Sequence, residues 1–365
     1  MVPAIASRIP LVRRPKAPAL PLEERITHLT GLTVAPAGAG HHDLVARASG
    51  VLNYAALIAS DVGMPDLAAE LCWRQHRTFA KASNLTGAIA VMSLMPLVNV
   101  ARLLTREGDG EAAYDVLTRL YRAAQKRGTT EIHGHTVDLA ALISTDTDHR
   151  KVCEELWTTL LIDGARALAR IGRWTEAANA MKAHRGVGNR LLDGRQITIM
   201  ALMERSLASQ ALDMIDNTVP TEPWETTIAA LLRAHCRSAS SPLPGPDLDL
   251  VLRETTTLLS VREPSYAVFQ TRSGLAALDL AQDRHTEDAH PLTEAIATTA
   301  ALDAYAAHEA LKHRVARQSL NDTQKQRLST VIAEAGLGNG CLSDRKLEAV
   351  TDAANTAETM LDDLL

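Results

Sequence analysis

The sequence has few aromatic residues and few cysteines. Aromatic side chains make up 3% of 365 residues and only two are Phe, so a core must draw on the Ala, Leu, Ile, Val and Met that dominate a hydrophobic content of 46%. Such residues suit close helix packing, and no run shows the alternation of a strand. The four cysteines are widely spaced and contain no C-x-x-C pair, which argues against a disulfide framework. We therefore predict an all-α chain with reduced thiols and no strand.

A strong charge of either sign and a long apolar run are also missing. The formal net charge of -5 argues against a protein that coats nucleic acid, because phosphate binding needs a concentrated basic surface. The beginning of the chain alternates Pro with Arg and has no signal-peptide core, and no later segment offers eighteen uncharged apolar residues. These features predict a cytoplasmic protein with no direct nucleic-acid partner and no membrane partner.

Motifs of the common enzyme classes are absent as well. The chain has no G-x-G-x-x-G after a strand, no G-x-x-x-x-G-K-[ST], no G-x-S-x-G and no H-E-x-x-H. The sequence thus predicts no cofactor and favours binding over catalysis.

What the chain does contain is a recurring pair of apolar helices joined by a short turn. Three turn glycines, Gly63, Gly108 and Gly172, are each followed five residues later by an alanine. A glycine can take the left-handed conformation that ends a helix, and the alanine lets the second helix approach the first. Weaker copies have their alanines at Ala211 and Ala289.

The junction Gly172-Arg173-Trp174-Thr175-Glu176-Ala177 resembles that of the tetratricopeptide repeat (TPR) family. The resemblance implies TPR-like helical hairpins that form a right-handed α-solenoid over residues 42–310, with a C-terminal capping helix. The chain is similar to the helical sensor or partner-binding part of bacterial TPR regulators, but its first 40 residues are too short and Pro-rich for a helix-turn-helix domain. Only the interval from Ala177 to Ala211 equals the 34-residue family period, so the other repeats need longer helices or insertions.

Breaks in the helical pattern predict four parts of the chain. These are a Pro/Gly-rich N-terminal arm (1–40), an N-terminal TPR-like array (41–237), a linker loop (238–247) and a C-terminal helical segment (248–365). The last helix should run from Ser343 to Leu364. We expect it to cap the solenoid or to dock a second copy in a homodimer.

Six polar side chains form the candidate ligand-binding site. In TPR arrays the first helices line a concave groove, and the resemblance places there Asn53, Arg102, Arg106, Arg166, Arg170 and Gln196. Each arginine pair is spaced i, i+4 and shares one helix face, so a bound anion would relieve the repulsion within it. We predict a protein or peptide partner, or a small anionic effector. The alternative is a solvated face neutralised by Glu107, Glu155 or Asp163.

An all-α enzyme is the competing class of function. The predicted loop 127–136 contains His133 and His135, a His-x-His pair that chelates a metal when the backbone is extended, and His149 follows nearby. The pattern defines no further ligand, and a polar surface loop explains the same residues.

Overall fold

The computed structural model of the protein describes residues 9–83, 85–140, 145–238, 243–281 and 289–365. Helices dominate these residues, which confirms the predicted all-α class. In chain order the elements are α1 (Leu22–Leu32), α2 (His41–Val62), α3 (Pro65–Lys81), α4 (Gly87–Glu107), α5 (Gly110–Lys126), β1 (Thr129–Ile132), β2 (His135–Asp138), α6 (Asp146–Thr159), a π-helical segment (Leu160–Gly164), α7 (Ala165–Arg170), α8 (Trp174–Ala183), α9 (Asp193–Glu204), α10 (Ala208–Asp216), α11 (Pro223–Ser238), α12 (Gly245–Ser260), a 3₁₀ turn (Pro264–Tyr266), α13 (Ala267–Leu280), α14 (Ala289–Ala300), α15 (Ala304–Lys312), α16 (Arg314–Ser319), α17 (Asp322–Ala335) and α18 (Asp344–Leu364).

A small hairpin corrects the prediction that the chain has no strand. Strands β1 and β2 pair antiparallel, and Ile132 faces His135 across a two-residue turn. The turn residues His133 and Gly134 have φ of 49° and 78°. Positive φ at both positions matches the right-handed twist of a hairpin. Each strand has four residues, too few for an alternating pattern to stand out in the sequence.

The helical junctions have the local geometry that the repeated glycines predict. Gly63 and Gly108 have φ of 95° and end α2 and α4 in the left-handed conformation. The alanines that follow them, Ala68 and Ala113, are fully buried. Accordingly α3 packs on α2, and α5 packs on α4.

The chain divides into two compact units. The first unit contains Leu22–Ile171 and Gly338–Leu365, and the second contains Gly172–Leu337 together with the described residues up to Pro21. The predicted boundaries lie after residues 40, 237 and 247, and residues 239–242 of the predicted linker loop lie outside the described part of the chain. Local patterns report where helices lie, whereas membership of a unit depends on which helices pack together.

The last helix of the chain, α18, packs against the first three helices of the first unit. Helix α18 packs chiefly on α2 and also on α1 and α3. Its buried face includes Val350, Ala354 and Leu361. On its outer side Lys81 Nζ lies 2.8 Å from the carboxylate of Asp362. The predicted capping helix therefore covers the earliest helices of this unit.

In the second unit, helices that are consecutive in sequence pack on one another. Helix α8 packs on α9, α11 on α12, and α13 on α12 and α14, while α13 also packs on α15, the second helix after it. Between α11 and α13 the rings of Trp224 and Phe269 meet edge to face, with centroids 5.7 Å apart. This pair packs two large aromatic side chains between the helices of the second unit.

Among the described residues, α4 is long and apolar enough to cross a membrane by length and composition, since an 18-residue window within it has a mean hydropathy of 1.7. Core helices pass the same test, and 56% of that window is buried within the protein.

A buried histidine on α11 generates a prediction about acid stability. His235 is 1% exposed, and neither ring nitrogen has a hydrogen-bond partner within the described part of the chain. Burial lowers the pKa of His235 to about 4. Because an unfolded histidine titrates near 6.5, the unfolded state binds more protons between about pH 6.5 and pH 4, and the free energy of unfolding decreases as the pH falls through this window.

His235→Leu should therefore make that decrease shallower, and at pH 7 it should leave the free energy of unfolding unchanged or raise it by up to about 1 kcal/mol, since a buried unsatisfied group is removed. Urea denaturation followed by circular dichroism at pH 7 and pH 5 measures both effects. The exposed His308→Leu is the control. The prediction is wrong if His235→Leu and His308→Leu lose the same free energy of unfolding between pH 7 and pH 5.

Candidate ligand-binding site

A concave pocket of about 360 Å³ lies in the first unit between α2 and α4. That volume is at the small end of ordinary ligand sites. The residues that line it are Gly50, Asn53, Tyr54, Ala56, Leu57, Ser60, Cys72, Met95, Asn99, Arg102, Leu103 and Arg106. Those from α2 and from α4 recur at spacings of three and four, so each helix presents a single face to the pocket. Aliphatic and aromatic side chains form the walls, and amides and guanidinium groups lie among them.

One end of the pocket is organised by a buried carboxylate. The side chain of Asp61, at the end of α2, is fully buried and accepts hydrogen bonds from Arg25 Nη2 at 2.6 Å and from Arg106 Nη1 at 2.7 Å. Arg106 Nη1 also donates to Ser60 Oγ at 2.7 Å. A buried charge is tolerated when it is paired and hydrogen-bonded. Asp61 therefore holds Arg106, which is 40% exposed, at the pocket edge.

A second chain of contacts runs along the same face of α4. Asn99 Nδ2 donates to Asn53 Oδ1 at 3.0 Å, and Arg102 Nη1 donates to Asn99 Oδ1 at 3.3 Å. Arg102 Nε donates to Asp163 Oδ2 at 3.0 Å. Asp163 lies in the π-helical segment, a local widening of the helix that is frequent at functional sites. The two asparagines and Arg102 are thus held in one orientation.

The structure brings together part of the predicted set of site residues. Asn53, Arg102 and Arg106 line the pocket. Arg166 and Arg170 lie on α7 of the same unit and are not among its lining residues, because α7 packs mainly on α5 whereas the pocket lies between α2 and α4.

Gln196 has a different environment from the other predicted residues. It lies in the second unit, is fully buried, and donates through Nε2 to the carbonyl oxygens of Leu11 at 2.8 Å and Leu191 at 2.7 Å. The repeat pattern of the sequence places Gln196 on a groove-lining helix, as it does Asn53. In the structure its hydrogen-bond partners are instead the carbonyl groups of Leu11 and Leu191.

Two important residues were missed by the reasoning from sequence. Asn99 precedes Arg102 by three positions and therefore shares its helix face, so the spacing held the necessary signal. Arg25 is a lone cation on the apolar face of α1, beside Leu22, Ile26 and Leu29. A charge at such a position calls for a buried partner, although the sequence does not say which carboxylate supplies it.

The candidate histidines occupy three separate environments. His133 is in the hairpin turn, and the ring of His135 stacks on Trp73 with centroids 3.9 Å apart. His149 Nε2 lies 2.8 Å from the carbonyl oxygen of Ala124. No group of three or more His, Cys, Asp or Glu residues within the described ranges is placed to hold a metal ion.

The pocket wall contains one thiol, that of Cys72 on α3. Burial raises the pKa of Cys72 to about 12. Only a thiolate is strongly nucleophilic, so at neutral pH this side chain serves as a small apolar wall.

Comparisons with protein families, with curated proteins and with solved structures found no match for the chain.

The Asp61 network predicts a stability difference between two similar substitutions. Asp61→Asn would leave the guanidinium of Arg25, 3% exposed, against a neutral amide. Breaking a buried ion pair in this way costs about 3 kcal/mol or more. Asp163→Asn is the matched control, because Asp163 and Arg102 are both partly exposed and such pairs contribute less than about 1 kcal/mol. Equal free energies of unfolding for the two variants would contradict the buried network.

Burial of the thiols predicts the order in which the cysteines react. Cys72 and Cys236 are buried and burial raises the pKa of each to about 12, whereas Cys341 is exposed. Iodoacetamide at pH 8 should alkylate Cys341 at least about tenfold faster than either buried thiol, since reaction needs an accessible thiolate. Peptide mass spectrometry over time measures the three rates, and denatured protein is the control. Comparable rates in the native protein would contradict the burial of Cys72 and Cys236.

Proposed function

We propose that the chain is a non-enzymatic binding protein, an adaptor, accessory or regulatory factor, that recognises an anionic group in the α2–α4 pocket. The anion belongs to a peptide, a partner protein or a small effector. The observation that carries the proposal is the set of two partly exposed guanidinium groups, those of Arg102 and Arg106, oriented by carboxylates and amides beside apolar walls.

The local charge balance supports an anionic ligand. Around the pocket the guanidinium groups of Arg25, Arg102 and Arg106 contact the carboxylates of Asp61 and Asp163. These groups alone carry a formal excess of one positive charge. Because Asp61 is shared between Arg25 and Arg106, the excess lies towards the exposed member, Arg106. A carboxylate ligand would balance it through charge-assisted hydrogen bonds.

The remaining lining residues favour a ligand with an apolar part next to its charge. Leu57, Met95 and Leu103 offer hydrocarbon, and Asn53 and Asn99 offer amide groups. Mostly apolar pockets with a few placed polar groups bind small ligands or single side chains, since apolar contact supplies affinity and the polar groups set orientation. The pocket thus suits an acidic side chain or a small organic acid.

The TPR-like arrangement belongs to the same proposal. Helices α2 and α4 each begin a helical hairpin and together line the pocket, which is the place the family resemblance assigns to the groove. We extend this to a right-handed solenoid of such hairpins. The apolar face of α18 is covered by α2 and α3, so capping is the role we assign to it, and a homodimer through α18 would use its outer, polar side. We also propose that the protein is cytoplasmic and does not contact nucleic acid directly.

Binding of acidic peptides tests this function. A fluorescein-labelled tetraglutamate peptide should bind the chain, and its tetraglutamine counterpart should bind at least about tenfold more weakly, because the latter lacks the charge-assisted contacts. Fluorescence anisotropy measures both Kd values. Glutarate should compete with the acidic peptide.

Arg106→Gln should weaken binding of the acidic peptide about 10- to 100-fold, since a hydrogen bond to a charged group contributes about 1.5–3 kcal/mol. Asp61 keeps Arg25 as its partner in this variant, so the fold is retained. Arg119→Gln, an exposed arginine paired with Asp115 on α5, is the matched control. The proposal is wrong if acidic and amide peptides bind equally, or if both variants lose affinity to the same extent.

A further inference from the structure

Residues 9–21 form an arm that lies along the second unit without forming helix or strand. Ile9, Pro10 and Ala19 of this arm are buried. Its contacts fall on three elements that are far apart in sequence, namely α9, the 3₁₀ turn with its preceding residue, and the start of α15. The arm therefore occupies a surface that only the folded second unit assembles.

Three hydrogen bonds hold the backbone of the arm. Gln196 Nε2 donates to the carbonyl oxygen of Leu11 at 2.8 Å, and the N–H of Lys16 donates to the carbonyl oxygen of Ser265 at 2.9 Å. The N–H of Ala19 donates to Asp303 Oδ2 at 2.7 Å. Backbone contacts of this kind give affinity for an extended peptide whatever its side chains.

Gln196 and Asp303 are both buried, and each also has a role within the second unit. Gln196 bonds the carbonyl oxygen of Leu191, and Asp303 Oδ1 accepts the N–H of Ala306 at the start of α15. Both side chains are therefore fixed before any peptide arrives, which lowers the entropy cost of binding.

The side chains of the arm are recognised by opposite charge and by aromatic rings. Arg14 Nη2 lies 2.6 Å from the buried carboxylate of Asp193. The guanidinium of Arg13 lies 3.2 Å from Glu263 and 3.5 Å above the ring of Tyr266.

Lys16, three residues after Arg13, makes a second cation–π contact. Its Nζ lies 3.2 Å from the centroid of the Tyr305 ring. Cation–π contacts favour a cationic peptide over a neutral one of the same shape. The surface thus selects positive charge at successive positions.

The composition of the arm suits this mode of binding. Its prolines at positions 10, 15, 18 and 21 restrict the backbone and remove N–H donors that would otherwise need partners. Proline-rich segments bind with little loss of conformational freedom, which is why they recur as recognition motifs.

We propose that this surface of the second unit is a peptide-binding groove for an extended, proline-containing, cationic segment of a partner protein, and that residues 9–21 occupy it in cis as a competing pseudo-ligand. The groove is defined by Asp193, Gln196, Glu263, Tyr266, Asp303 and Tyr305. Its preference for cations is opposite to that of the α2–α4 pocket, and the two proposals do not depend on each other.

The arm is part of the same chain as the groove and competes with a free peptide for it. This competition determines the peptide affinities that we expect. A short tether supplies an effective concentration in the millimolar range, so a free peptide of equal intrinsic affinity binds the wild-type chain weakly. Weakening the arm, with the groove intact, should strengthen binding of a free peptide. This increase in affinity separates a ligand-like arm from one that only supports the fold.

The experiment uses the full chain and a fluorescein-labelled synthetic peptide with the sequence of residues 9–21, IPLVRRPKAPALP. Arg13→Glu combined with Arg14→Glu should bind the peptide at least about tenfold more tightly than wild type, as measured by fluorescence anisotropy. Adding Asp193→Asn to that double variant should return the affinity to the wild-type value or below. The matched control is Arg205→Glu with Arg317→Glu, exposed arginines of the same unit that give an equal change in net charge and should bind the peptide as wild type does.

A milder variant covers the case in which the double charge reversal does not fold, as judged by circular dichroism. Arg13→Gln with Lys16→Gln removes both cation–π contacts and leaves the Arg14–Asp193 pair, and it should raise peptide affinity about threefold or more. No increase in either folded variant would overturn the proposal. A wild-type chain that elutes as a dimer and is dissociated by the peptide would also overturn it, in favour of an arm exchanged between two copies.

Discussion

The pairing of the buried Asp61 carboxylate is the interaction on which the first unit depends. Its side chain joins α1 through Arg25 and α4 through Arg106, and its backbone carbonyl accepts the N–H of Gly338 at 2.8 Å. The N–H of Gly340 adds a bond of 2.7 Å to the carbonyl of Val62. The end of α2 is thus hydrogen-bonded to α1, to α4 and to the segment that precedes α18. The Asp61 carboxylate is the critical member, because its loss would remove the counter-charge that it supplies to the buried guanidinium of Arg25 in a low-dielectric interior.

The two units are built from similar helices but present opposite chemistry. In the first unit, guanidinium groups outnumber the carboxylates around the α2–α4 pocket. In the second, carboxylates and tyrosine rings face the cationic arm. Both arrangements rely on side chains fixed by neighbouring contacts, which is what recognition requires.

Much of the helical organisation could be predicted from the sequence, because it depends on local rules. Gly63 and Gly108 end their helices in the left-handed conformation, and the last helix begins directly after Ser343. The spacing of Arg102 and Arg106 places both on one helix face. The hairpin at residues 129–138 escaped prediction because its strands are short and its turn depends on positive φ at His133, a conformation that few non-glycine residues adopt.

The position of the candidate site residues was predictable only in part. Arg102 and Arg106 reach the pocket because α4 packs beside α2, whereas Arg166 and Arg170 have the same spacing on a helix that packs mainly on α5. The proline-rich composition predicted an N-terminal arm. Nothing in the spacing of residues 9–21 pointed to Gln196 or Asp303 as their partners, since these lie 185 and 284 residues away from the atoms they bind.

By itself, the sequence determined the class of the fold, the junctions between many helices and the faces on which charges lie, since these follow from helix periodicity and from the conformations open to glycine and proline. Only the tertiary structure decided that α18 returns to α2, that Asp61 is shared by two arginines, and that the arm lies on the second unit. The physical reason is the same in each case. Long-range pairing is selected by the burial of apolar area and by the need of buried polar groups for partners, and neither has a fixed separation along the chain.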